Sequence, residues 1–462
     1  MKTLWIKTAV LSTVLASTAF YAQNSETIPN LRPNDQRGIN VFENNKISTS
    51  EFDGIKLNWG AAFTAQYQNL KHENGVDYTL NPKTPKLYDL KSGIQVPMAN
   101  LYMDVQLADG IHLNVTSYMS ARHHNEFYVK GGYLQIDKLP FLKSDLVDKI
   151  MEKVTIKAGQ FENDYGDQHF RRTDGGQAIY NPFIENYVAD AFMTEVGGEV
   201  YYQANKEIMV MAGVTSGSIK GHVTTPKEVD GDKTRSLSVL GKVSWDKKFN
   251  DDFRLRLSGS IYHNPHNGGS GLTIYGGDRT GSNYQLVMEA TGKTTTQPVI
   301  GANGLPTGEY ISTFTASNPT DNAFSGRFNP GFSNKVTAMM FNAFAKYQGL
   351  EFFGTYETAD GRSAGQTDDR NMTQLAGDLI YRFGSKENFF LGARYNTVRA
   401  ELAGITDKVS VDRLALGAGW FMTKNILMKA EYVNQQYKDY PSSNMLYKGK
   451  FDGITVEATV SF

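Results

Sequence analysis

The residues best suited to chemistry lie in one stretch, Tyr165 to Asp190. It carries the pair Arg171-Arg172 and Asp174 among Phe170, Tyr180, Phe183, Ile184, Tyr187 and Val188. A loop left in solvent seldom holds so many large apolar groups, so the stretch is expected to fold onto a surface that buries them. Guanidinium groups suit phosphate or carboxylate. Two readings of Arg171 and Arg172 stay open. They face the narrowest part of a pore and favour anions, or they pair with Asp167, Asp174 or Glu185 and brace the loop.

Other chemistry is thinly supported. His112, Asn114 and Thr116 share a strand face, but no serine in a nucleophile-elbow setting joins them. There is no phosphate-binding loop and no His-Glu-x-x-His, so no enzyme is expected. His123 and His124 are adjacent, point to opposite faces of a strand, and suit a surface loop better than a metal. Without cysteine there are no disulfides, thiolate metal sites or lipid-modified N-terminal Cys. No metal or cofactor is expected. The formal net charge of -1 argues against a nucleic-acid partner.

The elements that must position the Tyr165 stretch are strands. In the last twelve residues Ile454, Val456, Ala458, Val460 and Phe462 take one parity and Thr455, Glu457, Thr459 and Ser461 the other. Such alternation makes a strand with one apolar and one polar face. An aromatic residue at the very end suits the closing strand of an outer-membrane barrel, whose aromatic girdles sit at the membrane interfaces. The same alternation recurs from Ile55 onward. Short and long connections also alternate, with short ones such as Ala108–Gly110, Gln348–Gly349 and Thr423–Asn425. This is the rhythm of periplasmic turns and extracellular loops. With both termini on one side the strand count is even. The expected fold class is all-β: a transmembrane antiparallel barrel of about 16 strands.

Residues 1–22 read as a signal peptide, with Lys2 and Lys7 before the short apolar run Ala9 to Ala16. Residues 23–52 read as a polar periplasmic segment, ordered only where it docks. The barrel then occupies 53–462, with 165–190 as an inward-folded constriction loop and 263–334 as a long extracellular loop. Inside that long loop, Tyr284–Ala290 and Tyr310–Thr315 are expected to pair as a hairpin outside the wall. Near Leu142, Leu146, Val147 and Ile150 the period changes to that of a short amphipathic periplasmic helix, with Ser144 at its N-cap. The parity of Glu126–Asp137 is ambiguous.

Each strand offers one list of residues to lipid and one to water. Leu255 and Leu416 are expected to face lipid. Ser258 and Gly417 are expected to face the lumen, where an arginine should be accommodated. Water-facing cations include Lys157, Arg382, Arg394 and Lys429; water-facing anions include Asp104, Glu199, Glu351, Asp378 and Glu431. Lys242, Arg254, Arg256 and Lys346 fall on three consecutive strands and should form one basic sector of wall. With Arg171, Arg172 and Asp174 they are the expected pore constriction. The alternative is that such lumen charges hydrate the pore and pair across strands.

The chain resembles the phosphate-selective porin O and P family. The resemblance rests on the hairpin Asn100–Val115 around Ala108-Asp109-Gly110, on Gly132-Tyr133-Leu134-Gln135-Ile136-Asp137, and on Val154-Thr155-Ile156-Lys157-Ala158-Gly159-Gln160-Phe161 followed by Tyr165-Gly166. Gly417-Ala418-Gly419-Trp420-Phe421 and the final hairpin extend it more loosely. The chain is also similar to porin-like outer-membrane β-barrel proteins of Bacteroidetes, whose signal peptides often end as Ala22-Gln23 does here. The resemblance implies a sixteen-stranded barrel, usually a homotrimer, that passes anions. The family's Arg and Lys ladder has no residue-by-residue match in this chain.

The function expected is an outer-membrane porin for small hydrophilic solutes, anions among them, embedded in outer-membrane lipid. The alternative is a substrate-binding uptake or surface-recognition barrel, whose long loop Asn264–Pro330 recognises a glycan or protein partner.

Overall fold

The structure, a computed structural model, describes residues 28, 30–43, 46, 52–120, 126–218, 223, 225–229, 231–269, 271–276, 281–300, 306–316 and 325–462. The signal-peptide reading and the His123-His124 pair lie outside the described residues.

Among the described residues eighteen strands follow in chain order. Sixteen close into one antiparallel barrel, in which each strand pairs with its neighbour in sequence, except that β9 (Phe253–Asn264) pairs with β12 (Lys335–Tyr347). The remaining two, β10 (Gly292–Ile300) and β11 (Pro306–Ala316), form a separate hairpin between them. A hairpin outside the wall was expected, but its first strand is Gly292–Ile300. Tyr284–Ala290 instead turns inward, and Tyr284, Val287 and Met288 are buried. The seam joins β1 (Lys56–Glu73) to β18 (Lys450–Ser461), with Phe63 opposite Val460 and Tyr67 opposite Val456. Phe462 continues the ladder: its N–H donates to the Ala61 carbonyl and its own carbonyl accepts from the Ala61 N–H, each at 3.0 Å.

The alternation is expressed as the two faces of this wall. Leu257, Leu375, Leu379, Leu391, Leu416 and Ile454 lie exposed on the outside. Toward the short turns the outer face becomes aromatic. Phe389 stacks on Trp420 with centroids 5.7 Å apart, and Tyr381 meets Phe383 at 4.7 Å. Among the described residues no helix is long and apolar enough to cross a membrane. An apolar belt on a closed sheet leaves no strand edge unpaired, which is the condition for strands to sit in lipid.

Two local departures have physical causes. In β4 (Glu126–Ile136) the register against β3 (Ile111–Ser120) slips, because Ser117 faces Val129 while Thr116 faces Gly131. Lys130 is the extra residue of a bulge, and bulges re-aim side chains. This is why the parity of the segment is ambiguous. Phe127 and Val129 are exposed before the bulge and Leu134 after it, while Lys130 and Tyr133 both turn inward. The helix α1 (Asp145–Met151) follows Ser144 as expected, but its apolar residues Leu146 and Ile150 stand in solvent and only Met151 is buried. It joins β4 to β5 (Val154–Glu162) and does not form part of the barrel's packing.

Leu416→Arg places a charge in the apolar belt and should destabilise the assembled barrel by about 2–4 kcal/mol near mid-bilayer. Gly417 faces the interior, but a Cβ there would stand 3.2 Å from the Phe183 ring and 3.2 Å from the Pro182 carbonyl. The expected tolerance of arginine at this lumen position is therefore corrected: Gly417→Arg should also lose assembled barrel, whereas Ser258→Arg should lose less. Recovery of heat-modifiable barrel from membranes measures all three, and equal recovery would contradict the assignment of faces.

Candidate functional site: the inner loop and the cavity beside it

The connection from β5 to β6 (Thr194–Gln203) spans residues 163–193 and lies almost wholly buried inside the barrel. Its apolar side chains explain why. Phe183 packs with Ile179 and Tyr180 against Ile380, Phe390, Phe421 and Leu427 of the wall. Tyr187 packs near Phe344 and Phe353. Gly392 and Gly417 leave room for the Phe183 ring, which a side chain at either would meet at about 3.2–3.3 Å. Burying a phenylalanine and its neighbours in this way contributes about 1.5–3 kcal/mol per large side chain.

A loop without secondary structure brings unpaired backbone groups with it, and these must be bonded. The lumen-facing side chains of the wall do this. The N–H groups of Gly166, Asp167, Ile184, Val188 and Ala189 donate to Ser260, Asn342, Glu431, Asn396 and Gln374 at 2.6–3.0 Å. Lys429 donates to the carbonyls of Ala178, Asn181 and Phe183 and pairs with Glu457 at 2.7 Å. Arg394 binds Asp378 at 2.7 Å and the Glu185 carbonyl at 3.0 Å. These wall charges face the interior as expected, and they grip protein there.

The residues expected to form the constriction are brought to the same region, each with a partner of opposite charge. Arg171 is 1% exposed and meets Glu351 at 2.6 Å; Arg172 is 4% exposed and meets Asp190 at 2.6 Å. Their guanidinium groups lie between loop and wall, where burial without a partner would be costly. Arg172 also stacks 3.8 Å from the Phe192 centroid. Lys242 touches Glu43, Asp164 and Asp167 at 2.6–2.9 Å. Arg256 binds Asp167 at 2.8 Å and Glu43 at 2.6 Å. Arg254 pairs with Asp246 at 2.5 Å and Lys346 with Glu387 at 2.7 Å. Asp174 sits across from Lys130 at 2.8 Å. The basic sector exists as a stretch of wall, but its charge is compensated.

The N-terminal segment is a component that sequence reasoning missed. It docks at the short-turn end, where the Gln36 N–H donates to the Lys424 carbonyl at 2.8 Å, and then runs inward. The Asn40 amide donates to Glu351 at 2.7 Å and its oxygen accepts from Arg171. Arg32 stacks 3.6 Å from the Tyr180 centroid and donates to the Phe170 carbonyl at 2.7 Å. The indication in its polar, non-alternating sequence was the short apolar group Ile39, Val41 and Phe42.

The side of the interior that the loop leaves open is a cavity of about 320 Å³. Asp104, Lys130, Tyr133 and Lys157 line it from β2 (Gly93–Ala108), β4 and β5. The end of β5 contributes Glu162, the loop contributes His169, Asp174 and Tyr180, and the N-terminal segment contributes Arg32, Phe42, Glu43 and Lys46. The mixture of charge, hydroxyl, amide and ring edges can hold water and hydrated solutes. Its charges and its depth are set by where the loop is held.

His169 is one of the groups that hold the loop. Burial works against its charge, but hydrogen bonds with Asp164 and Glu162, each at 3.0 Å, outweigh that and raise its pKa. A raised pKa stabilises the folded loop fully below the ordinary histidine value of about 6.5, and the effect is lost as pH rises through the raised value. Protection factors of the amides in residues 163–172, in which the intrinsic base catalysis of exchange is divided out, should fall on passing from pH 6 into the alkaline range, and His169→Gln should remove that fall. Protection factors that do not change with pH in the unmodified protein would contradict the ion pairs.

No protein-family model matches the chain, and no curated protein does. Among solved structures it is similar to an anion-selective porin from Comamonas acidovorans, with 8% identity, 88% of this chain and 100% of that chain covered, and a TM-score of 0.52. It is likewise similar to the outer membrane channel DcaP of Acinetobacter baumannii, at 10% identity, 88% and 98% coverage and a TM-score of 0.50. At such identities the likeness is one of fold: this chain folds as a closed, sixteen-stranded antiparallel barrel, as those outer-membrane proteins do.

Proposed function

We propose that the chain is a bacterial outer-membrane porin that lets small hydrophilic solutes diffuse through the space beside its inner loop. The supporting observation is the cavity of about 320 Å³ between loop and wall, inside a closed barrel with an apolar outer belt. The short-turn end is periplasmic in this reading, and 163–193 is the constriction. No catalytic step is assigned to it.

Arg171, Arg172, Lys242, Arg254, Arg256 and Lys346 serve to fix the constriction, because each is held by a carboxylate. The field in the passage comes from groups lining the cavity. Arg32 and Lys46 line it and have no carboxylate within ion-pair distance among the described residues. Lys46 donates instead to the Val154 carbonyl, and burial pushes its pKa down to about 8. Unpaired cations at a low-dielectric mouth favour anions, and more so at low salt.

A second reading, an uptake barrel that binds its solute, draws on the filling of the lumen. Ile274, Tyr275, Tyr284 and Val287 of the long loop are buried in the same cluster as Val188 and Ala189 of the inner loop. A barrel that binds its solute would saturate at low solute concentration, whereas a diffusion channel would not.

Purified protein in a planar bilayer should give discrete conductance steps with a zero-current potential on the anion side in a potassium chloride gradient. Arg32→Gln with Lys46→Gln should bring the permeability ratio toward unity, and raising the pH through about 8 should lower it in the unmodified protein. Arg171→Gln should change it little. Absence of any conductance from correctly assembled barrel would overturn the channel reading.

A further inference from the structure

Residues 31–43 are held in the interior mainly by side chains. Their backbone hydrogen bond to the barrel runs from Gln36 to Lys424; those of Gly38, Ile39 and Val41 stay within the segment. Side chains hold it in place. The Phe42 ring sits edge-on to Phe170 and Phe344, with centroids 5.7 and 5.5 Å away, and beneath the guanidinium of Arg256 at 4.4 Å. The adjoining Glu43 carboxylate meets Lys242 at 2.8 Å and Arg256 at 2.6 Å.

Each wall group that the segment touches has another partner. Lys242 keeps Asp164 and Asp167 without it, Arg256 keeps Asp167, and Glu351 keeps Arg171 and Arg382. Withdrawal therefore strands no buried charge, which is the outcome that makes breaking an internal ion pair expensive. It would leave a seat in which two cations face the place of a carboxylate and two rings face the place of a third ring. Phe42 and Glu43 both line the cavity, so a solute in the passage reaches the same seat.

We propose that Phe42 and Glu43 are a tethered ligand occupying a carboxylate subsite of Lys242 and Arg256, and that a solute bearing a carboxylate beside an aromatic or similar apolar group displaces them. The inference rests on the diffusion-channel reading. Glu43 lies thirteen residues before Lys56 at the start of β1, a tether reaching at most roughly 43–47 Å when extended. A tethered ligand acts at an effective concentration of about millimolar order, so a free solute must reach that range to compete. Displacement draws the segment out at the short-turn end and widens the passage for the solute that caused it.

The chain has no cysteine, so Val41→Cys gives a single thiol on the segment. Full-length Val41→Cys barrel in lipid vesicles should react slowly with a polar maleimide. Adding 3-phenylpropionate at about 10 mM should speed the reaction by roughly threefold to tenfold, given a competitor of millimolar effective concentration. The uncharged 3-phenylpropanol should not. Glu43→Gln in the same background should raise the rate without probe. A rate unchanged by the carboxylate, a rate raised equally by the alcohol, or a thiol fully reactive from the start would each overturn the proposal. Conductance of the same preparation separates the two readings: steps with no carboxylate effect reject the tethered ligand alone, and assembled barrel without steps rejects the channel.

Discussion

A backbone in lipid has no water to bond, so each N–H and C=O in the belt must find a protein partner. Sixteen strands that close on themselves meet that condition, and the seam is where it is met last. The ladder between β1 and β18 and the reciprocal bonds of Phe462 with Ala61 remove the remaining edge. The outer face then needs only to be apolar, with rings at the short-turn rim.

The same accounting governs the interior. A loop of some thirty residues that folds inward carries backbone groups away from bulk water, and the wall supplies side chains to bond them. This makes the polar parity of the strands an adhesive surface as much as a hydrated one. Lys429, Arg394, Asn396 and Gln374 are lumen-facing by alternation, and all are spent on loop backbone. Buried charges cost several kcal/mol each unless paired and hydrogen-bonded. That is why the buried basic residues of wall and loop end on carboxylates or, for Arg413, on the Gln435 amide oxygen and the carbonyls of Asn186 and Gly326, and why the cavity lies on the other side of the loop.

The arrangement also fixes what each region can do. The packed side, around Phe183, Tyr187 and Val188, behaves as a core and sets position. The open side, where the β4 bulge aims Lys130 and Tyr133 inward, keeps a cavity of about 320 Å³. The N-terminal segment bridges the two, since it pairs with the packed side through Asn40 and Glu43 and lines the open side through Arg32 and Lys46.

The sequence by itself determined the barrel, the parity of its strands outside Glu126–Asp137, the inward loop and the helix after Ser144, and it placed a hairpin in the long loop with a different first strand. These follow from local periodicity: alternation of two specifies a face, and a shift to helical spacing specifies a helix. Tertiary structure alone decided the partners. Arg171 meets Asn40 and Glu351, and Asn40 meets Glu351 across 311 residues of sequence. No local pattern encodes such pairs, because burial selects whichever opposite charge the closed barrel brings near. It also decided that Gly292–Ile300 pairs with Pro306–Ala316 while Tyr284 turns into the lumen, since Glu431 and Phe451 offer its hydroxyl and ring a place that only the assembled wall creates.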